Sequence, residues 1–361
     1  MAHLTANFLA ESPLSPRARE AFGAAIDQGW ADPRKLAHCA AKARILLDQA
    51  LSSLAENLGL RREEIEVLGE PGLGHFYAIK GLLQPSQTLV YSNVDRKEVM
   101  ALSREGQRTC QLRVNPAGLL EGAQLQQMSQ TKGVFALQIA NGETGVIQNV
   151  EELLRRAGEL RIAADFSAAG TRVPLPSRWD SAFFDSRSWQ GPQGIGILAV
   201  RNGSPWRNPV PHIASTRTPQ SASLPLTIAS AVALEEWSEN EVSERQRLRE
   251  LSRELRQRVL TSVENCDVAG DLDQSLPHII SFSFLYVEGE ELLRRLDAAG
   301  FAVDSGSACT AEDLQPSHVL AAMGVLTHGN IRITLHRDST SAQVLALAEA
   351  IKTSVAQLRA Q

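Results

Sequence analysis

The chain has 361 residues, of which 43% are hydrophobic and 21% charged, with a formal net charge of -5. Those proportions describe an ordinary soluble globular protein, long enough for one large and one smaller domain, and they give no reason to expect nucleic acid or a membrane. No Lys/Arg run is interleaved with aromatics, no apolar run reaches the length of a membrane span, and the N-terminus lacks a basic-then-apolar leader pattern.

Four cysteines (Cys39, Cys110, Cys266, Cys309) without paired spacing argue against a disulfide framework or a zinc knuckle, so a reducing cytoplasm is the expected setting.

In chain order, Ser15 and Pro16 predict a helix N-cap and first helical residue. Ala37 to Leu58 predicts a long amphipathic helix ended by Gly59. Strand-like runs follow at Ile65–Leu68, Thr88–Ser92, Cys110–Val114, Gly133–Ile139, Ile162–Asp165, Ser181–Phe184 and Ile195–Val200. Helices are predicted between them at Lys97–Glu105, Leu119–Ser129 and Val150–Leu160. Near-continuous apolar strands alternating with helices imply a doubly covered, mostly parallel sheet. A Pro-rich stretch from Gly203 to Pro225 breaks the rhythm, and a charged helix is predicted from Leu234 to Val263. The remainder predicts strands at His278–Phe284, Phe301–Val303 and Asn330–Leu335, and helices at Glu288–Ala299, Pro316–Met323 and Ser341–Leu358. We therefore expect a large α/β domain over residues 14–255. A small α+β domain is expected over 256–361, with residues 1–13 packing on it.

The stretch most informative about function runs from Asp185 to Gly196. It holds three glycines and a proline within Gly191–Gly196, between two strand-like runs, and so predicts a tight, rigid hairpin. The segment resembles the cofactor-lysine hairpin of the cysteine desulfurases, the NifS/IscS group of the class-V aminotransferase fold, whose pattern reads Ser-Gly-His-Lys-x-x-Gly-Pro-x-Gly-Ile-Gly. Gly191, Pro192, Gly194, Ile195 and Gly196 match, but Ser188 stands at the lysine. That lysine forms a Schiff base with pyridoxal phosphate, and a serine hydroxyl cannot do so with an aldehyde.

A second stretch, Ser305-Gly306-Ser307-Ala308-Cys309-Thr310 followed by Pro316-Ser317-His318-Val319-Leu320, resembles the cysteine loop of the same family. The resemblance implies that Cys309 occupies the position of a persulfide-carrying thiol. Small flanking residues suit an accessible thiol on a movable loop, although a free cysteine that merely packs is an equally ordinary role for such a residue.

The resemblance extends over nearly the whole chain. Asp32-Pro33 with His38, Ala78-Ile79-Lys80-Gly81, Asn141 to Gln148, Ala164 to Gly170 and Asn330 to Leu335 each fall on a family motif. It implies a fold-type-I pyridoxal-phosphate transferase architecture with a large seven-stranded sheet and a small C-terminal domain. It also implies a homodimer, or a heterodimer with a related subunit, joined near Ser221 to Pro225. By the same resemblance, Arg332 falls at the arginine that grips the substrate carboxylate.

The cofactor contacts diverge. Glu70-Pro71-Gly72-Leu73 replaces the Gly-Ala-Thr-Glu phosphate cup, putting an acid where glycine stood and removing a backbone donor at proline. Gly72 falls within the altered cup, Arg96 at the ring-stacking histidine, Gly142 and Ala168 at ring-oxygen contacts, and Asp185 and Arg187 at the serine and histidine preceding the lysine. Asp165 alone matches, where a carboxylate pairs with the pyridine nitrogen; an Asp capping a turn at a strand end is its plainer role. None of Lys35, Lys42, Lys80, Lys97, Lys132 and Lys352 lies on the hairpin. No bound cofactor is therefore expected, and no metal, because His212, His318 and His336 lack ligand spacing.

Arg332 and Arg337 read as strand-end charges that could pair with Asp304 or Asp338. Two functions are expected to compete: a persulfide relay through Cys309 between donor and acceptor proteins, and a non-catalytic scaffold or regulatory partner of a sulfur-transfer or iron–sulfur assembly complex. An active pyridoxal-phosphate desulfurase is the third reading.

Overall fold

The computed structural model describes residues 6–211, 216–305 and 316–361; Cys309 and His212 lie outside them. After β1 (Ala6–Phe8) comes α1 (Pro16–Gln28), where the Ser15 side chain accepts from the Ala18 amide at 3.0 Å and Pro16 opens the helix. The next elements are α2 (His38–Asn57), β2 (Ile65–Leu68), α3 (Gly74–Lys80), β3 (Thr88–Ser92), α4 (Lys97–Leu102), β4 (Arg108–Leu112), α5 (Gly122–Gln127), β5 (Gly133–Gln138), α6 (Val150–Ala157), β6 (Arg161–Asp165), β7 (Ser181–Asp185) and β8 (Gly196–Val200). The chain continues through α7 (Leu224–Ser262), β9 (Cys266–Val268), β10 (Ile279–Phe284), α8 (Gly289–Ala298), β11 (Phe301–Val303), α9 (His318–Met323), β12 (Ile331–Thr334) and α10 (Ser341–Arg359).

The large sheet has seven strands in the order β2-β8-β7-β6-β5-β3-β4. Every pair from β4 across to β7 is parallel, whereas β8 runs antiparallel to both neighbours. The central strands β3, β5, β7 and β8 are buried along their whole length and β6 from Ile162 onward, which is why their sequences are largely apolar runs and do not alternate. A three-stranded antiparallel sheet, β12-β10-β9, and a parallel pair, β1-β11, complete the strands. The first strand thus pairs with one more than 290 residues later, Ala6 beside Phe301.

This topology places the site. Because β2, β3, β5, β6 and β7 point the same way, their C-terminal ends open on one edge of the sheet. In open α/β sheets that edge is where ligands bind. The residues just beyond those ends are Glu70 after β2, Arg96 after β3, Gly142 after β5, Asp165 at the tip of β6 and Asp185 at the tip of β7.

Some elements differ from expectation. Helix α7 begins at Leu224, ten residues before the predicted Leu234. Its first turns are apolar or small on nearly every side and bury Leu224, Thr227, Ala229, Ser230 and Ala231 against the rest of the chain, so they lack the charged periodicity that marked the second half. Pro225 is tolerated there because a helix's first amides have no intrahelical acceptor. Position 255/256 lies inside this helix. Strand β4 sits two residues earlier than Cys110–Val114; it is the sheet edge, and residues 108, 109 and 111 are exposed, so its apolar pattern is weak. The three-residue strands β1 and β9 carry too little pattern to be seen in sequence.

Candidate functional site

The hairpin between β7 and β8 is a single turn of 3-10 helix, Ser186–Trp189, closed by Gln190 in the left-handed conformation at φ 61°. Gly191 is required by close approach: a Cβ there would lie 2.1 Å from the Ser186 hydroxyl oxygen. Trp189 anchors the turn, fully buried, with its indole N–H donating to the Ser230 carbonyl on α7 at 3.2 Å. Ser188 is buried, and its hydroxyl donates to the Asp185 carbonyl at 2.7 Å. The Arg172 guanidinium donates to the Ser188 carbonyl from below and stacks over Trp237, 4.0 Å from the ring centre.

Asp185 is also matched within the chain. Its carboxylate accepts from the Arg187 amide at 2.9 Å and from the Arg187 guanidinium, with Nη2 at 2.7 Å, while Arg187 Nη1 reaches Glu11 at 3.1 Å. The Asp185 hydrogen bond, then the two carboxylate charges, raise the Arg187 pKa further above its usual value despite partial burial. Arg187 is therefore a fully engaged cation.

At the altered cup, Pro71–Leu73 forms a short 3-10 turn leading into α3. Glu70 precedes it, and its own carboxylate accepts from the Gly72 amide at 3.2 Å. An amide at a helix entrance is the kind of donor that holds a phosphate; here the chain supplies the anion itself.

Asp165 is the most heavily partnered group in the cleft. One oxygen accepts from the Ser167 amide at 2.8 Å, the turn-capping role expected for it. The other lies 3.0 Å from His75 Nε2 on α3 and 3.8 Å from Arg96 Nε. Burial acts to raise this carboxyl, but the His75 contact, the Arg96 charge and the Ser167 side chain outweigh it and hold Asp165 well below the usual carboxylate range.

Arg96 bends back from the start of α4 over Gly142. A Cβ on Gly142 would come within 2.9 Å of Arg96 Nη2 and 3.6 Å of the Ala168 methyl. The three positions expected to contact a cofactor ring are thus together, with the Arg96 side chain lying among them.

Arg332 on β12 reaches the same glycine: Nη1 donates to the Gly142 carbonyl at 3.3 Å and Nη2 to Asp304 at 2.7 Å, while Asp304 also accepts from the Ala10 amide at 2.8 Å. The Asp304 partner was among those expected. Arg332 itself is mostly buried, with 22% of its side chain exposed, and so is not a surface charge. Arg337 pairs with Glu236 on α7, not with Asp304 or Asp338. Cys309 and His212 lie outside the described residues. Among the described residues no group of three or more His, Cys, Asp or Glu side chains could hold a metal ion. Lys80 points away to Glu105 at 2.9 Å.

Sequence reasoning missed His75, Glu70 as an internal cap, and Arg172. Glu70 had a signal, since an acceptor side chain followed by proline marks a helix start. His75 and Arg172 had none, because their partners lie about 90 and 16 residues away.

A family model for class-V aminotransferases matches residues 27–347, and the chain belongs to the class-V aminotransferase family. Within that family it is similar to cysteine desulfurases. One from a Nostoc species is 30% identical over 332 residues, covering 86% of this chain and 82% of the relative. Cysteine desulfurase IscS of Dictyoglomus turgidum is 28% identical over 374 residues, covering 98% and 94%. Among solved structures, a NifS-like protein superposes with TM-score 0.86 at 21% identity over 99% of this chain and 100% of that one. A NifS-like protein from Rickettsia africae superposes at 0.84 and 18%, over 98% and 99%. At those identities the structural likeness establishes the fold.

The buried acids beside the cleft set a pH dependence. Burial pushes Asp95 up to about 8, against the Ser92 amide that donates to it at 2.7 Å. Burial likewise pushes Glu143 up to about 7, opposed by Ser317 and Arg332. For an acid whose folded pKa is raised, stability is fully present below its unfolded value, near 4, and is lost as pH rises through the folded value. His278 and His336, both lowered chiefly by burial, act in the opposite sense and lose stability below about 6.5. Above pH 6.5 the histidines no longer offset the acids, so stability is expected to fall from pH 6.5 towards pH 8.5, each acid contributing up to about 1.4 kcal/mol per pH unit crossed below its folded value. Urea midpoints at the two pH values test this. Asp95→Asn should flatten the fall, and a midpoint that is unchanged or higher at pH 8.5 contradicts it.

Proposed function

We propose that the chain handles sulfur without pyridoxal phosphate: a cysteine-desulfurase-like protein, acting as a homodimer or beside a related subunit, in which Cys309 carries sulfur as a persulfide. The observation that carries this reading is Ser188. At the position of the imine lysine stands a buried hydroxyl already donating to the Asp185 carbonyl at 2.7 Å. In this reading the residues present do not fit the cofactor. The cup amide at Gly72 is capped by Glu70, the ring space is crossed by Arg96, and Asp165 is matched by His75 and Arg96. No step of the chemistry runs through that group.

A relay needs none. The Cys309 thiolate attacks the terminal sulfur of a donor protein's persulfide; the donor's S–S bond breaks, its thiolate leaves with the electron pair, and a new S–S bond forms on Cys309. Oxidation state is conserved and no external oxidant enters. The reverse step delivers the sulfur to an acceptor thiolate. The sulfur-handling names of the relatives support the class of activity.

Incubation with a donor protein carrying labelled persulfide, followed by mass spectrometry, tests the relay. We expect label on Cys309 of the unmodified chain and none in Cys309→Ala. Label confined to Cys39, Cys110 or Cys266, or no label at all, contradicts the relay and leaves the non-catalytic scaffold, which the internally paired cleft also suits.

A further inference from the structure

The turn that follows β5 is fastened to the C-terminal part of the chain at two points. Asn141 fixes the turn itself: its side-chain oxygen accepts from the Glu143 amide at 2.9 Å and the Thr144 amide at 3.0 Å, and its Nδ2 donates to the Val94 carbonyl at 3.1 Å. At the first point the Gly142 carbonyl accepts from Arg332, which also holds Asp304. At the second the Glu143 carboxyl accepts from the Ser317 hydroxyl. Cys309 lies in the chain between Asp304 and Ser317.

Ser317 is also the N-cap of α9. Its oxygen accepts from the Leu320 amide at 3.1 Å, which leaves its single proton for Glu143. Two other kinds of contact hold α9 in place. Val319, Leu320 and Met323 cluster with Val94 and Val114, and His318 Nε2 lies 3.0 Å from the Asp95 carbonyl. The apolar cluster does not titrate. A carbonyl only accepts, so the His318 ring donates to it whether neutral or charged. Of these contacts, the one at Glu143 is therefore the one that a proton changes.

Glu143 is 8% exposed, and a buried carboxylate is costly unless a charge matches it. The charged groups around it are already committed. Arg332 on β12 favours the ionised form but is paired with Asp304 at 2.7 Å. Arg96 at the start of α4 is drawn to Asp165 at 3.8 Å, and Asp95 beside it is itself held towards its neutral form by burial. Burial dominates and pushes Glu143 up to about 7, with Ser317 and Arg332 opposing it.

We propose that Glu143 is a proton-dependent latch between the end of β5 and α9: with the carboxyl neutral α9 stays fastened, and with it ionised α9 detaches more readily and lets water reach the charge. A group that binds its proton more tightly when α9 is docked favours docking at low pH. The fastening is fully present below the ordinary glutamate value of 4.5, weakens as pH rises towards 7, and changes no further above that. The latch holds or fails independently of whether Cys309 carries sulfur.

Hydrogen exchange of the full chain, read by mass spectrometry on peptides covering residues 317–325 and α10, tests the latch. The Leu320, Ala321, Gly324 and Val325 amides are bonded within α9 and its caps, so their protection reports whether the helix is in place. After correction for the intrinsic pH dependence of exchange, we expect their protection to fall about tenfold between pH 5.5 and 7.5 and then to level off. Protection of α10 should fall several-fold less. Glu143→Gln, which keeps the shape of the neutral carboxyl, should hold α9 protected at both pH values. Glu143→Ala, which removes the acceptor, should leave it weakly protected at both. Equal falls in α9 and α10, no fall in the unmodified chain, or the full fall retained in Glu143→Gln overturns the latch.

Discussion

Asp165→Ala is expected to cost the fold about 3–5 kcal/mol, the range seen when one partner of a buried charge pair is removed and the other is stranded. Asp165 is 8% exposed and faces His75 at 3.0 Å and Arg96 at 3.8 Å. Deleting it leaves the buried His75 ring without its contact at Nε2 and the half-buried Arg96 guanidinium without its nearest carboxylate, and also opens the Ser167 turn. The loss comes from stranding those groups and not from the intrinsic worth of the ion pair. Adding Arg96→Ala to Asp165→Ala should therefore cost much less than the sum of the two single changes. Urea unfolding of the four proteins measures both quantities. A loss below about 1 kcal/mol for Asp165→Ala, or strict additivity, would show that the cluster is not coupled.

Ser188→Lys is expected to leave cysteine turnover at the no-protein background, roughly a thousandfold or more below a functioning desulfurase assayed beside it. The lysine alone does not rebuild the site. Ser188 is buried, and a Cβ on Gly170 would lie 2.7 Å from its hydroxyl oxygen, so a longer chain must displace packed neighbours. Arg172 holds the Ser188 carbonyl, Arg96 crosses the ring space, and Glu70 covers the Gly72 amide. A site whose groups act as a unit is not restored by returning one member. Sulfide and alanine release from this single variant above background would contradict the account.

Much of this was legible in the sequence, for identifiable reasons. The central strands are buried on both faces and so read as apolar runs bounded by glycine, proline and Asp. Their order in the chain, with helices between, dictates a parallel sheet. Short elements at edges were displaced or invisible, as with β4, β1 and β9, because an exposed or three-residue strand buries too little to leave a pattern. Helix α7 was half read: its charged half shows periodicity, whereas residues 224–233 are apolar on nearly every side. Among the site residues, Arg96, Gly142, Asp165, Ala168, Asp185, Arg187 and Ser188 were found from motif position, and the fold brings them to one edge of the sheet. What the motif could not give was who pairs with whom. The His75–Asp165 contact joins α3 to β6, and the approach of Arg96 to Gly142 joins the start of α4 to the end of β5. Such pairings are set by sheet order, not by local spacing.

The central claim is that this cleft works without pyridoxal phosphate, and one spectrum tests it most directly. The purified chain is incubated with excess pyridoxal phosphate, passed through a desalting column and scanned across the near-ultraviolet and visible. The account predicts a colourless protein fraction with no imine band and no retained cofactor. A stoichiometric band that survives desalting, whether from an imine on one of the six lysines or from tight non-covalent binding, would contradict it.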